Sequence, residues 1–326
     1  MRANRRHGFT MVEILVAVAI LTVVVAGVME SFVVQNRAYT VVDQTTESQQ
    51  NLRAIAHLLE RDLRMTGFMV DEAASACGID ATNAADTLYV TDATAIDPAN
   101  QAAANLGVPV IGYGGSVNEY PLALQNVPPS PVLDGQPFYD AINSDGIPDS
   151  DFQVGAGAIL YDRNDPNRGT ACGVVTHVSA SSVRVDFENA IGSVGGQQLV
   201  LVPAHRYAVD ANGALTRDGQ PLANDVDDLQ VAYFIDANGD GQVTTADEYE
   251  GSAGATAAYT SAGTDHSNLR EIRFNLVLRS RTNDAEYSEG TDQPTENRAG
   301  SGLADGFRRR AFTTTVRPRN IGFRGV

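Results

Sequence analysis

The sequence predicts an α+β protein in which a long N-terminal α-helix packs on a C-terminal antiparallel β-sheet domain with long loops. Three observations lead there. An apolar run from Ile14 to Met29 passes without a proline into a polar stretch, then into Leu52, Ile55, Ala56, Leu59 and Leu63, spaced mostly three or four apart. From about residue 151 the spacing becomes alternation, the period of a strand with one buried face. Between them, residues 71–150 hold eleven acids, eight of the thirteen prolines and no arginine, the composition of a loop-rich acidic segment.

The helix starts at Gly8-Phe9-Thr10-Met11-Val12-Glu13, behind Arg2, Arg5 and Arg6. From Phe9 to Met29 it would measure roughly 32 Å, enough to cross a bilayer core. Arginines before the run and an acidic chain after it place the start in the cytoplasm and the rest outside. Glu13 is the unusual residue, because a carboxylate one turn into a membrane helix is costly unless paired or near the interface. Thr10 and Glu13 also have the spacing of a capping box, which gives the glutamate a purely local use. A secretory signal carries its small cleavage residue after the apolar core. Here the small residue, Gly8, comes first, so cutting there would leave the helix on the mature chain. An uncleaved anchor would show the same apolar run. The start therefore divides into a leader (1–8), a membrane or filament-core helix (9–30) and an amphipathic continuation (31–67) stopped by Gly67. In all, the helix would hold about 58 residues over roughly 85 Å.

The acidic segment (68–150) is expected to carry short strands near Thr87–Thr91 and Val108–Ile111, and the sheet domain to fill 151–326. Val183, Val185 and Phe187 alternate with charged residues, and Leu229, Val231, Tyr233 and Ile235 form a second apolar face. Ile272, Phe274, Leu276 and Leu278 form a third, backed by Arg273, Asn275 and Arg279, and Phe312, Thr314 and Val316 mark a last strand. Half-polar strands suit a sheet with one covered face, and the amphipathic half of the helix is the expected cover. The linkers Ser252–Ser267 and Thr282–Gly306, rich in small and polar residues, are expected to be mobile.

The formal net charge is −17, and every one of the 23 basic residues is arginine. Loss of the leader would leave 20 arginines against 40 acids. That balance argues against a nucleic-acid groove, which needs positive charge to displace counterions. Without lysine there is neither a Walker-type phosphate site nor Schiff-base chemistry. Arg308-Arg309-Arg310 is expected to enter a strand and balance local acids. The five histidines are scattered, and no HExxH or GxSxG occurs, so no enzyme is expected. Cys77 and Cys172 lack metal or redox spacing. In an exported chain they are expected to form one disulfide, worth about 4 to 5 kcal/mol in the chain-entropy model, the alternative being two buried thiols.

Residues 236–247 have the spacing of a calcium loop. Asp236, Asn238 and Asp240 offer side-chain oxygens, Gly241 permits the sharp turn, Gln242 supplies its carbonyl, and Thr244 and Asp247 complete the shell. Two features depart from an EF-hand: the closing residue is Asp rather than Glu, and a strand leads into the loop. An acidic hairpin turn rich in Asn, Asp and Gly is the competing description. Asn143 to Asp151 is a weaker second candidate, with Ala141 at its first ligand position.

Gly8, Phe9 and Glu13, followed by the apolar run, resemble the class III signal of type IV prepilins. The stretch Arg61 to Phe68 with Cys77 soon after, Cys172, Val226–Ile235 before its acidic loop, Leu269–Ser280 and Thr313–Asn320 resemble minor pilins of the PilW type. That resemblance implies a pilin-like fold and cleavage after Gly8 by a prepilin peptidase, which methylates the new amine of Phe9. It also implies that Glu13 pairs with the amine of a neighbouring subunit. The implied partners are other major and minor pilins and an inner-membrane assembly platform. The implied location is a single-pass inner-membrane protein with a periplasmic domain, then an extracellular fibre, in its tip or initiation complex. A J-like pseudopilin of type II secretion and a membrane-anchored calcium-dependent adhesin are the alternatives.

Overall fold

The computed structural model describes residues 9–68, 70–81, 83–91, 152–179, 182–192, 199–236, 238–244, 259–284, 287, 295–296, 298, 300 and 305–321. It also describes the strands at 108–110, 119–123, 139–140, 149–150 and 248–249. The chain divides into two compact units, residues 1–48 and 49–326, and each is taken by itself.

Helix α1 runs from Met11 to Met65, 55 residues without a break. In the first unit its residues 11–40 are exposed on every side. In the second, Leu52, Ile55, Ala56, Leu59 and Leu63 are buried, the three-and-four spacing turned into one packed face. Burial begins at Leu52, so the stretch 31–51 buries none of its residues within the chain. Gly67, at φ +80°, ends the helix as expected, and a Cβ there would lie 2.9 Å from Ile321. The end of the chain returns to this point. Arg319 N donates to the Arg64 carbonyl at 2.9 Å and Asn320 Nδ2 to that of Met65 at 2.9 Å, satisfying carbonyls the helix leaves orphaned.

Sixteen strands occur among the described residues of the second unit. They are β1 (Ala76–Ile79), β2 (Thr87–Val90), β3 (Val108–Val110), β4 (Glu119–Ala123), β5 (Tyr139–Asp140), β6 (Asp149–Ser150), β7 (Gly157–Asp162) and β8 (Thr170–Ser179), followed by β9 (Ser182–Phe187), β10 (Leu199–Val209), β11 (Leu215–Arg217), β12 (Gln220–Ala223), β13 (Val226–Ile235), β14 (Glu248–Tyr249), β15 (Leu269–Arg279) and β16 (Arg309–Val316). A larger antiparallel sheet follows the order β1-β2-β10-β7-β8-β9-β4, with β3 and the β11–β12 hairpin attached to β10. A smaller one follows β14-β13-β15-β16, and β5 pairs with β6 alone. The acidic segment is therefore woven into the sheet built by the later strands. β2 and β3 both pair with β10, and β4 pairs with β9. Local composition carries no sign of pairing across a hundred residues.

The buried face of α1 shares one core with Leu229, Val231, Tyr233 and Ile235 of β13 and Ile272, Phe274, Leu276 and Leu278 of β15. Leu88, Tyr207 and Leu215 of the larger sheet join it. The expectation of a single covered face fails for the smaller sheet, since Asp228, Gln230, Ala232 and Phe234 on the other side of β13 are also buried. Described residues between β15 and β16 meet Asp228 and Arg273 on this side through ion pairs, and Gln230 Nε2 donates to the Ala84 carbonyl at 2.9 Å. Glu296 takes Arg273 Nε and Nη2 at 2.8 Å each, Arg298 reaches Asp228 at 2.9 Å, and Arg308 reaches Asp284 at 3.2 Å. The described parts of the two linkers thus make specific contacts with the strands they flank. In the first linker Tyr259 stacks on Tyr233 at 3.9 Å, and Ser261 accepts from Thr170 N at 2.9 Å. Small, polar composition signals loop backbone but not what the loop rests upon.

Candidate functional site

Thr10 caps α1. Glu13 Oε2 accepts from Thr10 N at 2.8 Å and from its hydroxyl at 3.0 Å, while Glu13 N reaches back to Thr10 Oγ1 at 3.3 Å. This is a closed capping box. Phe9 and the large apolar residues from Met11 to Met29 are exposed. Among the described residues α1 alone is long and apolar enough to cross a membrane. The chain thus presents an apolar rod with one carboxylate near its start. Gly8 lies outside the described residues, and so do residues 141–148 and 151 of the weaker acidic candidate.

Cys77 and Cys172 form the disulfide, with Cα atoms 6.1 Å apart. It joins β1 to β8, which stand well apart in the strand order, so the larger sheet curls around Tyr89, Ile159, Tyr161, Val200 and Val202. Burial pushes the Tyr161 hydroxyl up to about 12, and Asp71 adds to the shift.

One polar residue on α1 has a role that the helix pattern alone does not disclose. Asp62 is buried, accepts from the Tyr207 hydroxyl, and meets Arg61 at 2.9 Å and Arg217 at 3.2 Å. It pins the helix to β10 and β11 amid otherwise apolar packing. Its only sign in the sequence is an acid on the apolar stripe, one residue before Leu63. His266, one of the five scattered histidines, is a second such residue. It is fully buried, with Nε2 2.6 Å from the Tyr259 hydroxyl, and burial lowers its pKa to about 4.

In the acidic loop Asp236 is buried at the end of β13. Its Oδ1 accepts from Asp240 N at 3.1 Å and its Oδ2 from Gly241 N at 2.9 Å, with Gly241 at φ +74°. Asn238 Oδ1 accepts from Asp240 N at 3.0 Å, and Asp240 Oδ1 from Gln242 N at 2.8 Å. Arg270 places Nη2 3.1 Å from Asp236 Oδ2. Burial alone would raise this carboxyl, but the Gly241 N–H and the Arg270 guanidinium outweigh it and hold it below the usual range. The oxygen-rich donors suit a hard cation, while Arg270 already brings positive charge to the first of them. Thr244 is exposed, Asp247 lies outside the described residues, and among those described no three acidic, His or Cys side chains are grouped so that they could hold a metal ion. Two of the three arginines balance acids as expected: Arg308 holds Asp284, and Arg309 holds Asp227 and Asp305.

Residues 192–320 match the family described as type IV pilus-assembly protein W, and residues 3–29 match the prokaryotic N-terminal methylation motif. No curated protein matches the chain. Among solved structures, the type IV-like pilin TTHA1219 from Thermus thermophilus is similar at 14% identity and a TM-score of 0.22, over 52% of this chain and 89% of its own. The apolar helix thus carries the prepilin-type methylation motif, and β10 to β16 lie within the region that matches the type IV pilus-assembly protein W family.

Proposed function

We propose that the chain is made as a single-pass inner-membrane prepilin and cut between Gly8 and Phe9 by a prepilin peptidase. It is then methylated on the Phe9 amine and drawn by α1 into the tip or initiation complex of the fibre. One observation supports this above the rest. The only acid between Phe9 and Met29 is Glu13, one turn after a glycine that precedes the apolar core instead of following it. Cleavage creates an ammonium one residue before the capping Thr10. A carboxylate and an ammonium in a low-dielectric layer neutralise each other, which removes the main cost of stacking the rod against like helices. Before assembly the sheet domain stands in the periplasm, and the chain works by assembly with other pilins and the assembly platform, not by catalysis. Mass spectrometry of sheared filaments tests this: a methylated Phe9 terminus is expected, and an intact Met1 in cells with active peptidase would overturn it. Glu13→Ala and Gly8→Glu are each expected to abolish incorporation.

We propose further that the loop at 236–247 takes calcium through Asp236, Asn238, Asp240, the Gln242 carbonyl, Thr244 and Asp247. The spacing and the fixed Asp236 carboxylate support this, and the Arg270 charge should weaken it. Calorimetry should show binding at millimolar calcium, and Arg270→Ala should tighten it several-fold. Absence of heat in both proteins would leave the loop an acidic turn.

A further inference from the structure

A cleft of about 330 Å³ opens at the C-terminal end of α1, wholly within the second unit. His57, Glu60, Arg61, Arg64, Met65 and Arg319 line it. Three arginines beside one acid run against the average of a chain whose net charge is −17. Arginines at a helix C-terminus commonly serve the helix itself, by offsetting the carbonyl end of its dipole. Here other groups meet that need. Arg319 N donates to the Arg64 carbonyl and Asn320 Nδ2 to that of Met65, each at 2.9 Å. The Arg319 guanidinium is left exposed, with no partner among the described residues. The nearby acids are already committed. Glu60 serves Arg64 and stands 3.7 Å from His57, while Asp62 is buried and shared by Arg61, Arg217 and the Tyr207 hydroxyl.

We propose that this cleft binds a tetrahedral oxyanion, the phosphate or sulfate ester of a small organic body such as a sugar. A guanidinium offers its N–H donors as a planar fork that matches such a group two bonds at a time. Three of them against the single Glu60 carboxylate leave positive charge for a doubly charged ligand. The volume lies at the lower end of small-molecule sites, roughly 300 to 1,000 Å³, and so leaves room beyond one bare ion. Met65 and the aliphatic stems of the arginines supply an apolar wall for the body that carries the anion. Because Arg61 and Arg64 are held by Asp62 and Glu60, their forks are oriented before the ligand arrives, which lowers the ordering cost of binding. Arg319 is the group with charge to spare, and it carries the largest share of the affinity. The site gives the sheet-bearing unit a binding activity of its own, which stands whether or not the chain assembles.

The test uses the full chain in a nonionic detergent, titrated by calorimetry with inorganic phosphate, glucose 6-phosphate, glucose 6-sulfate and glucose. Both sugar esters are expected to bind more tightly than inorganic phosphate, and glucose not at all. Their affinity should fall several-fold between about 50 and 200 mM sodium chloride. Arg319→Ala should weaken binding of glucose 6-phosphate about tenfold, the loss of one charge-assisted contact. Its melting temperature without ligand should equal the wild type's, since the backbone N–H that closes α1 is kept. Arg319→Lys keeps the charge but not the fork, and should recover only part of the loss. Glucose 6-phosphate should raise the melting temperature of the wild type and not that of Arg319→Ala. Absence of heat with both esters, equal affinity for glucose, or unchanged affinity in a folded Arg319→Ala chain would overturn the proposal. Tighter binding of inorganic phosphate than of either ester would overturn it too, since the free ion would then be the ligand.

Discussion

The two faces of the four-stranded sheet are held by different physics. The inner face is apolar along β13 and β15, and α1 shares its core through Leu52, Ile55, Leu59 and Leu63. The outer face mixes charged and polar groups with Ala232, Phe234 and Val277, and along β13 it is buried as well, while Ala311, Thr313 and Thr315 of β16 are exposed. Its cover is a chain segment fixed by Glu296 on Arg273, Arg298 on Asp228 and Arg309 on Asp227 and Asp305. Burial raises the Asp228 carboxyl even with Arg298 beside it, while Asp305 is held low by Arg309. A sheet with two buried faces need not have two oily ones. Apolar packing tolerates inexact geometry, whereas each buried charge needs its own partner in place.

That difference can be broken from either side. The largest effect is expected on the inner face, where Leu59→Ala removes a fully buried side chain under the helix. It should cost about 3 to 5 kcal/mol in denaturant unfolding. The next concerns acid. His266 sits beside Tyr259 on the same core, with its pKa lowered to about 4 from 6.5. The unfolded chain therefore takes up the proton first. The neutral ring's contribution is complete above pH 6.5 and is lost as the pH falls towards 4, by roughly 3 kcal/mol at most. Unfolding measured between pH 7 and 4 should show this slope, and His266→Gln should flatten it. The outer face should give the smallest change. Glu296→Ala leaves Arg273 and Asn275 without their shared acceptor and should cost about 2 kcal/mol. Sodium chloride at 1 M should weaken the wild type's outer cover but leave the Leu59→Ala difference unchanged. A salt-insensitive Glu296→Ala penalty would mean the strap is held by packing and not by charge.

Much of the inner face is legible in the sequence. The spacing of Leu52 to Leu63 and the alternation at Leu229 to Ile235 each announce their own period. Capping by Thr10 and Glu13, the stop at Gly67 and the Cys77–Cys172 pair are readable for the same reason: each depends on residues close in sequence, or on a simple count. The outer cover is not. Glu296 is twenty-three residues from Arg273 and lies in a stretch whose composition says only loop. Nor does the calcium-like spacing at Asp236 disclose that Arg270, thirty-four residues on, stands at its first ligand.

By itself the sequence determined the apolar rod, its glycine and glutamate, the strand periods and the paired cysteines, because local spacing and chemistry fix these wherever the chain goes. Only the tertiary structure decided that the acidic segment joins the larger sheet, that Asp62 pins the helix, and that charged partners close over the back of β13. Those outcomes depend on which distant groups meet once the backbone is folded, and a buried charge is stable only beside the one it meets.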